Sequence, residues 1–127
     1  MAINDLAYMY EKRDHNKMAE KYYKKAIKFN YKESIYHLAL LYEKQERYVE
    51  AIEYYKLAIE NGDKELLHDL AILYDDNLKC YDEAEKYYKL AIENKSVSAM
   101  YDLALLYYQL KRYEESEIYY KLVLEYG

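Results

Sequence analysis

Apolar side chains recur along this chain at the spacing of a helix face. In the stretch 32–63, Ile35, Leu38, Ala39, Leu41 and Tyr42 stand three or four residues apart. Tyr48, Ala51, Ile52, Tyr55, Ala58 and Ile59 repeat that rhythm after the polar run Glu43–Arg47. Such a period predicts two amphipathic helices joined by a short turn. The same reading along the chain predicts helix pairs at roughly 2–13 with 17–29, 33–44 with 48–60, 64–75 with 81–94, and 97–109 with 113–126.

The pairs are copies of one unit with a period of 32 or 33 residues. Leu6-Ala7, Leu38-Ala39, Leu70-Ala71 and Leu103-Ala104 mark it, followed at a fixed offset by Tyr10, Tyr42, Tyr74 and Tyr107. Tyrosine pairs begin at Tyr22, Tyr54, Tyr87 and Tyr119, and one eight-residue string recurs unchanged at Tyr54–Asn61 and Tyr87–Asn94. A period of this length is the signature of a solenoid. One domain over residues 1–127 is expected, with repeats at about 1–31, 32–63, 64–96 and 97–127. Small residues (Ala7, Ala39, Ala71, Ala104; Ala19, Ala51, Ala84, Ser116; Ala26, Ala58, Ala91) recur where two helices must touch. Gly62 and Asn30 stand where a helix end needs a left-handed residue, and Asp63 and Ser96 where the next helix needs an N-cap. The third repeat carries one extra residue around Asn77–Cys80, expected in a loop.

Composition agrees: the chain has no proline and only two glycines, which disfavours sheets and long loops. Apolar residues make up 53%, yet no run is long enough to span a membrane, and no basic-then-apolar leader opens the chain. A cytoplasmic protein is the expectation. Net charge is −5 with lysines scattered among acids, so neither nucleic acid nor a membrane surface is an expected partner. Cys80, the single cysteine, can form no internal disulfide.

These residues resemble the tetratricopeptide repeat: Ile35, Leu38-Ala39, Tyr42, Ala51, Tyr55 and Ala58 match its pattern, with Ile3, Leu67 and Met100 at its tryptophan position in the other units. Two departures, a period below 34 and no closing proline, bring the link between repeats closer to Sel-one-like repeats. The resemblance implies an all-α, right-handed α-α superhelix of about four two-helix repeats. It implies a non-catalytic protein-interaction scaffold whose concave groove is lined by the first helix of each pair. It places in that groove Asn4, Asp5, Tyr8, Glu11 and Lys12; Tyr36, His37, Leu40, Glu43 and Lys44; His68, Asp69, Ile72, Asp75 and Asp76; and Tyr101, Asp102, Leu105, Tyr108 and Gln109. Seven of these are acidic and two basic, so the expected partner is a protein or peptide segment of basic or mixed basic and apolar character. Fifteen of the 21 tyrosines sit at recurring positions that core packing explains. Of the other six, Tyr8, Tyr36, Tyr101 and Tyr108 fall on the groove, the best signal of a site.

Other chemistry has less support. Asn4, Tyr8, Tyr36 and Leu40 occupy the places where some family members hold a lysine and asparagine clamp for acidic chaperone tails, so that binding is not expected. His37 and His68, one repeat apart and near Asp69, would suit acid–base work or a metal, but they stand on separate helices without an HxxxH or HExxH pairing. The chain reads as no enzyme, with no cofactor and no metal. A structural or self-associating array, or a fragment of a longer solenoid, is the alternative, because Ile118, Tyr119, Leu122 and Leu124 close the last repeat without a solvating helix, leaving a homodimer through uncapped ends open.

Overall fold

A computed structural model describes residues 1–127. It contains α1 (Ala2–Lys12), α2 (Asn16–Lys28), α3 (Glu33–Lys44), α4 (Tyr48–Glu60), α5 (Leu66–Ile72, continued by a π-helical turn, Leu73–Asn77), α6 (Tyr81–Glu93), α7 (Val97–Gln109) and α8 (Tyr113–Tyr126). There is no strand; the fold is an all-α helical repeat solenoid. No helix is long and apolar enough to cross a membrane. The helices form two compact units, Met1–Asp63 and Lys64–Gly127. In the first, α1 packs on α2, α2 on α3 and α3 on α4; in the second, α5 packs on α6, α6 on α7 and α7 on α8.

The recurrent small residues are the contact points. Ala7, Ala19, Ala26, Ala39, Ala51, Ala58, Ala71, Ala84, Ala91 and Ala104 are at most 2% exposed. Ser116 replaces alanine in the last repeat and donates its hydroxyl to the Ala104 carbonyl at 2.8 Å, so its burial leaves no polar group unpaired. Tyr23, Tyr42, Tyr55, Tyr88 and Tyr107 are the largest fully buried side chains. Each buries its ring and passes its hydroxyl to a carboxylate at the rim: Tyr23 to Glu11 (2.8 Å), Tyr42 to Glu20 (2.8 Å), Tyr55 to Glu43 (2.6 Å), Tyr88 to Asp75 (2.9 Å) and Tyr107 to Glu85 (2.5 Å). Tyrosine does here what phenylalanine could not, filling the core while its polar end stays satisfied. Burial, reinforced by the Glu20 bond, pushes the Tyr42 hydroxyl up to about 12, so it remains a donor at any physiological pH.

Each unit also carries one polar clamp, and the two are copies 65 residues apart. In the first, Arg47 bonds Glu20 (3.0 Å) and Glu50 (2.9 Å), covers the Tyr42 ring at 4.5 Å, and Lys24 adds a second cation to Glu20 (3.0 Å). In the second, Arg112 bonds Glu85 (3.2 Å) and Glu115 (2.6 Å), covers Tyr107 at 4.4 Å, and Lys89 joins Glu85 (3.1 Å). Burial raises the Glu20 and Glu85 carboxyls, but the bonds from tyrosine, lysine and arginine outweigh it and hold both below the usual range.

Seven turns share one closing device. Asp14, Glu46, Lys79 and Lys111 between the helices of a pair, and Asn30, Gly62 and Lys95 between pairs, all have positive φ, from 56° to 109°. In six of them the following amide reaches back to a carbonyl five residues earlier, as in His15 N–H to Tyr10 and Arg47 N–H to Tyr42, both 2.8 Å. The expected roles of Asn30 and Gly62 match this geometry. The extra residue of the third repeat behaves otherwise than expected: it is absorbed by the π turn Leu73–Asn77, not by a loop. Leu78 N–H bonds Leu73 (3.2 Å) and Cys80 N–H reaches Tyr74 (2.8 Å), so the closing bond survives with one more residue inside it. Ser96 caps α7 by accepting from Ala99 N–H at 3.1 Å. Asp63 does not cap; α5 starts at Leu66 behind Glu65 with no side-chain cap.

Candidate functional site

The first helices present their outer residues one turn away from the Leu-Ala pairs, which are buried except for the half-buried Leu6. In the first unit this face belongs to α1 and α3. Tyr8 is 46% exposed, with Lys12 at 5.0 Å over its ring. Glu11 is engaged twice, by the Tyr23 hydroxyl and by Lys44 at 2.8 Å. Glu43 accepts from Tyr55. His37 stacks on Tyr23 (5.7 Å between ring centres, 12° between planes), and Tyr36 leans between His37 and Tyr55. Leu40 is half-buried. Asn4, expected on the groove, is instead buried, because its side-chain oxygen accepts from Ser34 at 2.7 Å. Glu11 and Glu43 therefore complete buried tyrosines, and the charge this face offers to a partner is nearly balanced.

The second unit is different. On α5 and α7, no lysine or arginine stands among the corresponding positions His68, Asp69, Ile72, Asp75, Asp76, Tyr101, Asp102, Leu105, Tyr108 and Gln109. His68 bonds Asp102 of the following repeat at 2.6 Å. Asp75 accepts from Tyr88; burial chiefly, with Asp76 and Asp102 nearby, raises its carboxyl above the ordinary value. Ile72, Leu105, Gln109 and the three carboxylates of Asp75, Asp76 and Asp102 line a cleft of about 140 Å³. Tyr101 and Tyr108 stand beside it, 50% and 57% exposed. Tyr101 packs edge-on against Tyr120 (5.9 Å), and Tyr108 against Tyr113 (5.6 Å). Those two supporting rings were not singled out in the sequence, since both fall at recurring positions that packing already explains. No cluster of three or more His, Cys, Asp or Glu side chains has the arrangement of a metal site. Cys80 is exposed, its thiol 3.7 Å from the Leu78 carbonyl.

A carboxylate cleft beside exposed aromatic rings suits a cation: the acids supply charge, and the rings supply faces on which a lysine or arginine stem can lie.

Tetratricopeptide repeat profiles match residues 2–33, 34–68 and 68–125 of the chain in succession. No curated protein matches it. Among solved structures, a tetratricopeptide repeat protein from Parabacteroides merdae is similar at 24% identity and a TM-score of 0.83, covering 98% of this chain and 52% of its own. The crystal structure of MamA is similar at 21% identity and a TM-score of 0.80, covering 98% of this chain and 75% of its own. A Sel1 repeat protein from Oxalobacter formigenes follows at 26% and 0.65, covering 98% of this chain and 57% of its own. The chain thus spans little more than half of the Parabacteroides and Oxalobacter proteins.

Proposed function

The chain belongs to the tetratricopeptide repeat family, and on that premise we propose that it is a non-catalytic scaffold whose first-helix face binds a peptide segment carrying lysine or arginine beside apolar side chains. The family generally serves protein interaction, which supports the coarse reading. The observation that carries the finer one is the α5–α7 face. Asp75, Asp76 and Asp102 gather there; Asp75 accepts from Tyr88 and Asp102 meets His68, and the cation acting on Asp75 is Lys79, whose attraction only partly offsets the burial that raises this carboxyl. Tyr101 and Tyr108 expose large amphipathic rings alongside, ready to cover a partner at low entropy cost. Ile72 and Leu105 supply the apolar steps between charges. On the first unit, taken by itself, Tyr8, Tyr36, His37 and Leu40 are the corresponding candidate contacts, whereas Glu11 and Glu43 contribute mainly by holding buried tyrosines.

The test is fluorescence anisotropy with a labelled peptide alternating lysine and leucine. Wild type is expected to bind saturably, more weakly as salt rises. Asp76→Asn/Asp102→Asn and Tyr101→Ala/Tyr108→Ala are each expected to weaken binding while circular dichroism stays helical. A labelled glutamate–leucine peptide competing equally at this face would sink the reading.

One observation favours self-association as the second reading: α8 exposes Ile118, Leu124 and Tyr126, at 56%, 84% and 63%. Sedimentation velocity across a concentration series separates the two readings.

A further inference from the structure

The lysines of this acidic protein are not evenly spread. Residues 1–31 hold seven lysine and arginine side chains against four acids, while residues 64–127 hold eight against 13. Within the first repeat the surplus sits on α2, which carries five lysines and a single acid, Glu20.

We propose that the channel between α2 and α4 is a second docking site, for an acidic peptide segment bearing large apolar side chains. It is a shallow groove of about 980 Å³, and Lys21, Lys24, Lys25 and Lys28 rim it with Phe29 and Tyr54. Ile27 lies in its floor. Phe29 is 61% exposed, so most of a large apolar ring faces solvent at the edge of this groove. Lys24 is paired with Glu20 at 3.0 Å, so Lys21, Lys25 and Lys28 supply the uncompensated charge. Three cations around an apolar floor are complementary to carboxylates interleaved with leucine or phenylalanine.

Two other anionic partners fit less well. A bilayer would need an apolar helix face to enter it. The apolar residues Ala19, Tyr23 and Ala26 of α2 are fully buried in the protein instead. A nucleic acid would continue along α4, where the neighbouring cleft of about 340 Å³ is lined by Glu53 and Glu60 with Tyr54, Lys56 and Leu57. Those acids repel a continuous phosphate chain but leave room for a short segment. The site is independent of the α5–α7 face and of opposite charge. With both occupied, the chain joins one acidic and one basic partner.

The probe is a fluorescein-labelled peptide alternating glutamate with leucine and phenylalanine, read by anisotropy. Saturable, salt-sensitive binding is expected. Lys21→Glu/Lys25→Glu/Lys28→Glu should weaken it roughly tenfold or more, and Phe29→Ala should weaken it while leaving net charge alone. Asp76→Asn/Asp102→Asn should leave it unchanged, which separates this site from the α5–α7 reading. Should charge reversal lose helix by circular dichroism, the triple Lys→Gln variant is read at low salt instead. Equal binding by the lysine variants overturns the proposal, as does equal binding of a peptide with serine in place of every apolar residue. Tighter binding of phosphatidylserine vesicles or oligodeoxythymidylate, lost in the same variants, also overturns it. So does self-association that the lysine variants abolish.

Discussion

Glu46 and Lys95 hold left-handed backbone, with φ of 59° and 71°, at two turns where the chain offers no glycine. A residue with a Cβ bears about 1–2 kcal/mol of strain there. Glycine relieves that strain but carries about 0.5–1 kcal/mol more unfolded-state entropy. The net gain is about 0.5–1 kcal/mol per site. Both side chains are exposed, and the backbone bonds of the turns, Glu46 N–H to Glu43 at 2.9 Å and Lys95 N–H to Ile92 at 2.8 Å, survive substitution. The two turns share no partner, so the effects add. The double variant Glu46→Gly/Lys95→Gly also leaves net charge at −5. It is expected to gain about 1–2 kcal/mol in urea unfolding and about 3–10 °C in Tm by circular dichroism for a chain of this length. Glu53→Gly, at an exposed position inside α4, is the control and should lose about 1 kcal/mol. A double variant with an unchanged or lower midpoint would show that these turns are not strained as their geometry implies.

Other substitutions probe the core and its rim. Glu85→Gln should cost about 1 kcal/mol at neutral pH by weakening the Arg112 and Lys89 pairs. Because the folded Glu85 carboxyl lies below its ordinary value, its stabilisation is present above that value and lost as pH falls through the folded one, so urea midpoints of variant and wild type should converge in acid. Asp75 has the opposite sign: its raised carboxyl makes the ionised form a burden to the fold at neutral pH. Asp75→Asn, whose amide oxygen can still accept from Tyr88, should be at least as stable as wild type there, with the advantage fading as pH drops. Ala51→Leu should cost about 1–3 kcal/mol in thermal melts, because Ala51 has no exposed surface and a larger side chain must displace a neighbouring helix.

The sequence by itself determined the helices, their pairing and most of their ends. A helix face repeated at fixed period is local information, and the Leu-Ala and Tyr-Tyr marks needed no tertiary fact to be read. The positions of the insertion and of the α5 start were not legible, because a π turn competes with a loop through packing energies that periodicity does not encode. The site was legible only as a list of outward positions. That Glu11 and Glu43 serve Tyr23 and Tyr55 depends on where a hydroxyl twelve residues away arrives. That His68 turns to Asp102 depends on the next repeat being docked beside it. Asn4 looked like a groove residue until Ser34 met it in the core. The lysines looked scattered along the string because four of them, spaced over two helical turns of α2, become one rim only when α4 closes the groove. Side-chain identity and period are properties of the chain; which polar groups neutralise each other, and which charges remain for a partner, is decided when distant residues are brought within a hydrogen-bond length.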